Sequence, residues 1–134
     1  MKTIALAAAL AAFAGLAVAQ EIAMKEHAGL RFACGGVGFE ERAALAALRP
    51  QTNLELLFAT GKRGAYVADV QVAIFAADKT PPVLELRANG PMCIISAPAA
   101  KYRVEATYAG VKRSAQVDAG AKQTQLVFSF PQEP

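Results

Sequence analysis

The chain has 134 residues, 54% of them hydrophobic and 19% charged, and carries a formal charge of +3. That length holds one ordinary domain rather than two. The small basic surplus, spread along the chain among acidic residues, gives no electrostatic footprint for nucleic-acid binding.

The first element is "MKTIALAAALAAFAGLAVAQ". Lys2 supplies a positive start, Ile4 to Leu16 an apolar run, and Ala17-Val18-Ala19 the small residues that precede cleavage, so 1–19 is expected to be a secretory signal peptide. A membrane anchor is the competing reading, but the run is Ala-rich and ends in a cleavage pattern. No Cys at that point would take a lipid. The expected product is a bacterial exported protein, periplasmic or secreted, with one domain over 20–134 and no stable membrane insertion. Without Lys2 it has thirteen basic and eleven acidic side chains, a charge of +2.

Next comes "FACGGVGFEER", with Cys34, Gly35, Gly36 and Gly38 ahead of Glu40 and Glu41. The glycines invite a phosphate-loop reading, but their spacing fits neither G-x-x-x-x-G-K-[ST] nor G-x-G-x-x-G. The two glutamates also stand where a helix N-terminus would otherwise meet an anion. A tight turn into a helix is the expectation. "FEERAALAALRP" is rich in helix formers and stops at Pro50, with Leu45 and Leu48 on one face. Glu40 and Glu41 fall in its first turn and Arg49 in its last, both favourable to the helix dipole. This helix is expected to lean on one end of the fold.

From Asn53 the pattern changes to a period of two. "NLELLFA" aligns Leu54, Leu56 and Phe58; "AYVADVQVAIF" aligns Tyr66, Ala68, Val70, Val72 and Ile74; "YRVEATY" aligns Tyr102, Val104, Ala106 and Tyr108; "TQLVFSF" aligns Leu126, Phe128 and Phe130. "VLELRA", "CIIS" and "KRSAQVDA" are less regular strand candidates. Gly- and Pro-rich turns separate them and no helical pattern intervenes. About seven short strands point to a mainly β fold, an antiparallel Greek-key sandwich of immunoglobulin or transthyretin type, with one short N-terminal helix. The aromatic residues follow the same alternation and are expected in the core.

Two cysteines, Cys34 and Cys93, in an oxidising destination read as one structural disulfide. The alternative is a pair of free thiols, but neither sits in C-x-x-C or beside a histidine that would activate it.

Candidate chemistry is sparse. His27 is the lone histidine, and it lacks the carboxylate or thiolate cluster a metal site needs. Ser96, Ser114 and Ser129 lie in no nucleophile motif that would pair with it. Asp69, Glu85 and Glu105 occupy outward strand positions. No cofactor, metal or catalytic residue is expected, and the protein reads as a non-enzyme. Lys101, Arg103, Lys112 and Arg113 flank a turn and could form a basic patch for an anionic glycan or lipid surface, or simply a charged strand face with Glu105 in its midst. The glycine turn (Gly35, Gly36, Gly38) and the Gly90-Pro91 turn are the other candidate interaction surfaces.

The stretch from Gly64 through Val72, and Pro98-Ala99-Ala100-Lys101-Tyr102-Arg103-Val104-Glu105-Ala106 followed by Gly110, resembles the carboxypeptidase-regulatory-like domains. Those have a transthyretin-like β-sandwich fold. The likeness spans about 65–130, and extends more loosely over Phe32 to Arg49, where the Cys-Gly-Gly-x-Gly segment is Cys34–Gly38. Ala100 stands where the family's P-A-G-x-Y pattern has glycine. The resemblance implies an accessory binding module with no catalytic residues. The expected role is capture of a periplasmic or envelope protein; the alternative is inhibition of an exported hydrolase by a rigid loop.

Overall fold

The computed structural model describes residues 22–131. The expected signal peptide therefore lies outside the described residues. The chain forms β1 (Lys25–His27), β2 (Leu30–Gly35), α1 (Phe39–Ala46), a 3-10 turn (Arg49–Gln51), β3 (Leu54–Thr60) and β4 (Ala65–Tyr66). These are followed by β5 (Val70–Ala76), β6 (Leu84–Ala88), β7 (Met92–Ser96), β8 (Ala100–Tyr108), β9 (Val111–Ala119) and β10 (Thr124–Phe130). The fold is mainly β, in two sheets. The first has the order β1-β2-β7-β3-β10, with β4 added to β3; the second has the order β6-β5-β8-β9.

The period-two segments behave as strands with one face on a shared core. Leu54, Leu56 and Phe58 from the first sheet meet Val70, Val72, Ile74 and Val104 from the second, all essentially inaccessible to solvent. Burying each such side chain contributes roughly 2 kcal/mol against the entropy of ordering the chain. β8 and β9 form a hairpin on Ala109-Gly110, both at positive φ, as a two-residue turn matched to strand twist requires.

Several expectations need correction. The described residues contain ten strands rather than about seven, and the pairing is not wholly antiparallel: β10 runs parallel to β3 from Thr124↔Leu54 to Phe130↔Thr60. β1 and β2 lie in a segment read only as turn and helix. The supposed single strand "AYVADVQVAIF" is two strands in different sheets. The chain switches sheets between Tyr66 and Val70, with Asp69 in the left-handed region at φ 63°. The alternation therefore loses phase, and Tyr66 is 60% exposed rather than in the core.

The helix is also shorter and differently placed. It ends at Ala46, because Pro50 has no N–H to donate to the Ala46 carbonyl and its ring crowds that oxygen, and Arg49 falls in the separate 3-10 turn instead of its last turn. It packs on the outer face of β2 and β7 rather than at one end. There Leu45 joins Ala33, Met92 and Ile94 in a second, smaller core, with Leu48 and the N-terminal Ile22 and Met24 at its margin.

Cys34 and Cys93 are bonded, S–S 2.04 Å, and are direct cross-strand neighbours in β2 and β7. Ala100 opens β8 in extended backbone opposite Ala119, so the glycine-to-alanine departure carries no positive-φ strain.

Candidate functional site

Because α1 covers only β2 and β7, the β3–β10 half of the first sheet's outer face is open. Leu57 is the outward neighbour of both Met92 and Val127, and Ala59 that of Tyr66. Leu57, Pro91 and Met92 floor a groove of about 260 Å³, with Tyr66 and Arg42 on its walls. Val127 beside it is 58% exposed. The backbone of Gly36 lies against Met92, Pro91 and Arg42, which sets the Val37–Phe39 loop next to the same groove. Val37 and Phe39 are 65% and 78% exposed. Of the four large exposed apolar side chains among the described residues, Tyr66 lines the groove and Val127 stands opposite its Leu57, while Val37 and Phe39 project from the turn that follows Gly36.

Its far end is polar. Glu55, on β3, is 1% exposed and accepts hydrogen bonds from Arg49 Nε (2.7 Å) and Nη2 (3.3 Å) and from Gln125 Nε2 (2.6 Å) on β10. The Glu55 bond and charge raise the Arg49 pKa above its ordinary value. A carboxylate so fully engaged ties β3, β10 and the 3-10 turn together.

The glycine turn does bind an anion, and that anion is the chain's own. Glu41 Oε1 accepts from Gly36 N (2.6 Å) and Val37 N (3.2 Å), filling the position a phosphate would take. This is half a capping box, reaching back past the N-cap Gly38, which has no side chain to complete it. Gly35 and Gly36 are buried while Gly38 is exposed. Gly90 and Pro91 are also buried, and a side chain on Gly90 would collide with the Gly35 backbone. The accessible part of this region is Val37–Phe39.

The four cations divide. Lys101, Arg103 and Lys112 share the outer face of the second sheet, where Glu105 lies 3.5 Å from both Arg103 Nε and Lys112 Nζ. Arg103 also stacks 4.2 Å from the Phe75 ring centroid, covering it; its Nε, though within ion-pair range of Glu105, makes no hydrogen bond. Arg113 points the other way, opposite Ala106, and its Nε donates to the Ser129 carbonyl at 3.0 Å. It lines a cleft of about 850 Å³ together with Lys62 and Arg63.

His27 sits in β1 at one edge of the first sheet, Ser129 in β10 at the opposite edge, and Ser114 in the other sheet. Asp69 is exposed and 3.4 Å from Arg87. Sequence reasoning missed Glu55, Leu57, Tyr66 and Val127 as surface or site residues. Leu57 and Val127 did carry a signal, being apolar residues in the outward phase of amphipathic strands.

Compared with known proteins, the chain matches no family model and no curated protein. Among the described residues, no helix is long and apolar enough to cross a membrane.

Proposed function

We propose that this chain is an exported, non-enzymatic interaction module on a Greek-key, transthyretin-like sandwich, and that it captures an envelope or periplasmic protein through the groove on the first sheet. The disulfide favours an oxidising compartment. Two features support the sandwich reading: the core shared by both sheets, and the bond from Tyr102 Oη to the Pro98 carbonyl (2.7 Å), a tie that Greek-key sandwiches use at a strand entry.

One observation carries the functional reading: Leu57, Pro91 and Met92 line a groove that exposed Tyr66 borders, with exposed Val127 opposite Leu57 on the neighbouring strand. Arg42, exposed and held among the described residues only by a 3.4 Å side-chain bond to the Gly36 carbonyl, offers a cation at its wall. The matching partner surface presents an apolar side chain flanked by a carboxylate. With Glu55 already occupied, the groove holds no unengaged carboxylate of its own among the described residues.

The test is a photo-crosslinker placed at Tyr66 in the native compartment, with capture compared in Arg42→Glu and Leu57→Lys chains. A saturable adduct lost in both variants, but retained in Lys101→Glu on the opposite sheet, is expected. Capture indifferent to Arg42 and Leu57 overturns the assignment.

The projecting Val37–Phe39 loop favours a second reading, inhibition of an exported hydrolase. The loop is pinned by Glu41 and by the neighbouring disulfide, so little ordering entropy is lost on insertion. Proteases and lysozymes assayed with micromolar protein test it, and unchanged rates remove it.

A further inference from the structure

Sheet edges are pairing surfaces unless something blunts them, and most edges here are blunted. β1 is three residues long and reads Lys-Glu-His; β4 has two residues; β6 alternates Glu85 and Arg87 outward; β9 carries Lys112, Arg113 and Asp118. β10 differs. "TQLVFSF" has seven residues, with no charge, proline or glycine, and closes the first sheet with no strand beyond it among the described residues.

Its backbone direction is fixed by two bonds. Thr124 N donates to the Asn53 carbonyl, and Gly61 N donates to the Phe130 carbonyl, so the even-numbered residues of β10 address β3. By the period of two, Gln125, Val127 and Ser129 turn their N–H and C=O groups away from the sheet. The Arg113 bond to the Ser129 carbonyl agrees with that direction. It occupies one lone pair of that oxygen and leaves the other available.

From this geometry we infer that β10 pairs with β10 of a second copy of this chain, antiparallel about a two-fold axis through Val127. In that register Val127 faces its own copy and Gln125 faces Ser129. These are the residues whose backbone groups point outward, and in an antiparallel ladder such pairs exchange both bonds. Every outward donor therefore meets an outward acceptor. The side chains agree: on the outer face Val127 meets Val127 and Gln125 meets Ser129, while on the core side Leu126 meets Phe128, with no charge opposed to a like charge. A two-fold interface must be self-complementary, and this segment is. The two first sheets then become one continuous sheet, with both copies' grooves on the same outer surface. The inference is independent of what the groove binds.

Sedimentation velocity of the isolated chain, from about one to several hundred micromolar, tests it. Wild-type protein is expected to dimerise, and Val127→Lys, which sets two ammonium groups face to face, to weaken association at least about tenfold. Because Val127 is 58% exposed, that variant should keep the wild-type circular dichroism. Val127→Thr should still dimerise. Register is read separately with Val127→Cys, which should oxidise to a covalent dimer whose linked peptide contains residue 127 twice, while Lys112→Cys should associate as the wild type does and form no covalent dimer. A wild-type chain that remains monomeric throughout, or a dimer indifferent to Val127→Lys, overturns the proposal.

Discussion

Glu55 and Arg49 meet at 2.7 Å on the outer face of the first sheet, the carboxylate 1% exposed and the guanidinium 43%. Such a pair stabilises little in itself, because desolvating the carboxylate offsets most of the attraction, but losing one partner strands the other. Arg49→Ala is expected to cost about 2 kcal/mol, at the lower end for a broken pair because the arginine is half in water. Adding Glu55→Gln should return most of that loss, since the neutral amide no longer needs the cation. Urea unfolding of the two singles and the double gives the coupling. Additive losses would mean that the pair does not act as a unit.

The 59-residue span closed by Cys34–Cys93 joins strands that are already neighbours. In the chain-entropy account the bond stabilises the fold by about 4 kcal/mol, acting on the unfolded chain. The Cys34→Ala, Cys93→Ala double variant should lose somewhat less than this, because residual structure in the unfolded chain already limits the freedom that the bond removes. Non-reducing peptide mapping should recover the Cys34–Cys93 peptide and no free thiol. Two free thiols in the isolated protein would refute the bond.

Strands were legible in the sequence where one face meets the core and the other meets water, as in β8 with Tyr102, Val104 and Ala106 alternating against Lys101, Arg103 and Glu105. β2 and β7 were obscure because α1 covers their second face. Ala33 and Ile94 are buried as fully as Leu30 and Ile95, and alternation vanishes where both sides are apolar. The parallel β3–β10 pairing has no local signature, since it joins segments about seventy residues apart. The same limit hid the Glu55 site, whose Gln125 partner comes from that distant strand, so that Glu55 looked like any solvated outward carboxylate. Tyr66 was misplaced because a single left-handed residue, Asp69, reset the phase between it and Val70.

Gly90 and Gly120 should respond oppositely to alanine. A Cβ on Gly90 would overlap the backbone of Gly35, which cannot move without disturbing β2 beside the disulfide, whereas at Gly120 a Cβ meets nothing within 4 Å. Gly90→Ala is expected to cost about 3 kcal/mol through overpacking, and Gly120→Ala to lie within about half a kcal/mol of wild type. Thermal melts of the two variants compare them directly. Equal melting temperatures would show that the Gly35–Gly90 approach can relax.

Tyr102 links stability to alkaline pH. Burial raises its pKa above the ordinary value near 10, so the folded state holds the phenol neutral where the unfolded chain would ionise. Its contribution is fully present below about pH 10 and falls as pH rises toward the folded value. Tyr102→Phe should lose about 1 kcal/mol at neutral pH with the bond to the Pro98 carbonyl, while its stability should decline less as pH rises above about 10. Denaturant midpoints across that range would show converging curves. Parallel curves would exclude Tyr102 as a source of the alkaline loss.

Glu41 offers the sharpest test of the glycine turn. Its carboxylate accepts from Gly36 N and Val37 N, so it holds the loop in place as well as favouring the helix N-terminus. Adjacent Glu40 lies in the same first turn and is exposed, so it shares the dipole effect without the loop bonds. Glu41→Ala should therefore cost about 1.5 kcal/mol and Glu40→Ala only a few tenths. Hydrogen exchange separates the roles further: Gly36 and Val37 amides should lose protection in the Glu41 variant and keep it in the Glu40 variant. If both variants exchange alike at those amides, the glutamates act only through helix electrostatics. The turn would then be held by the Gly35–Gly90 contact and the disulfide alone.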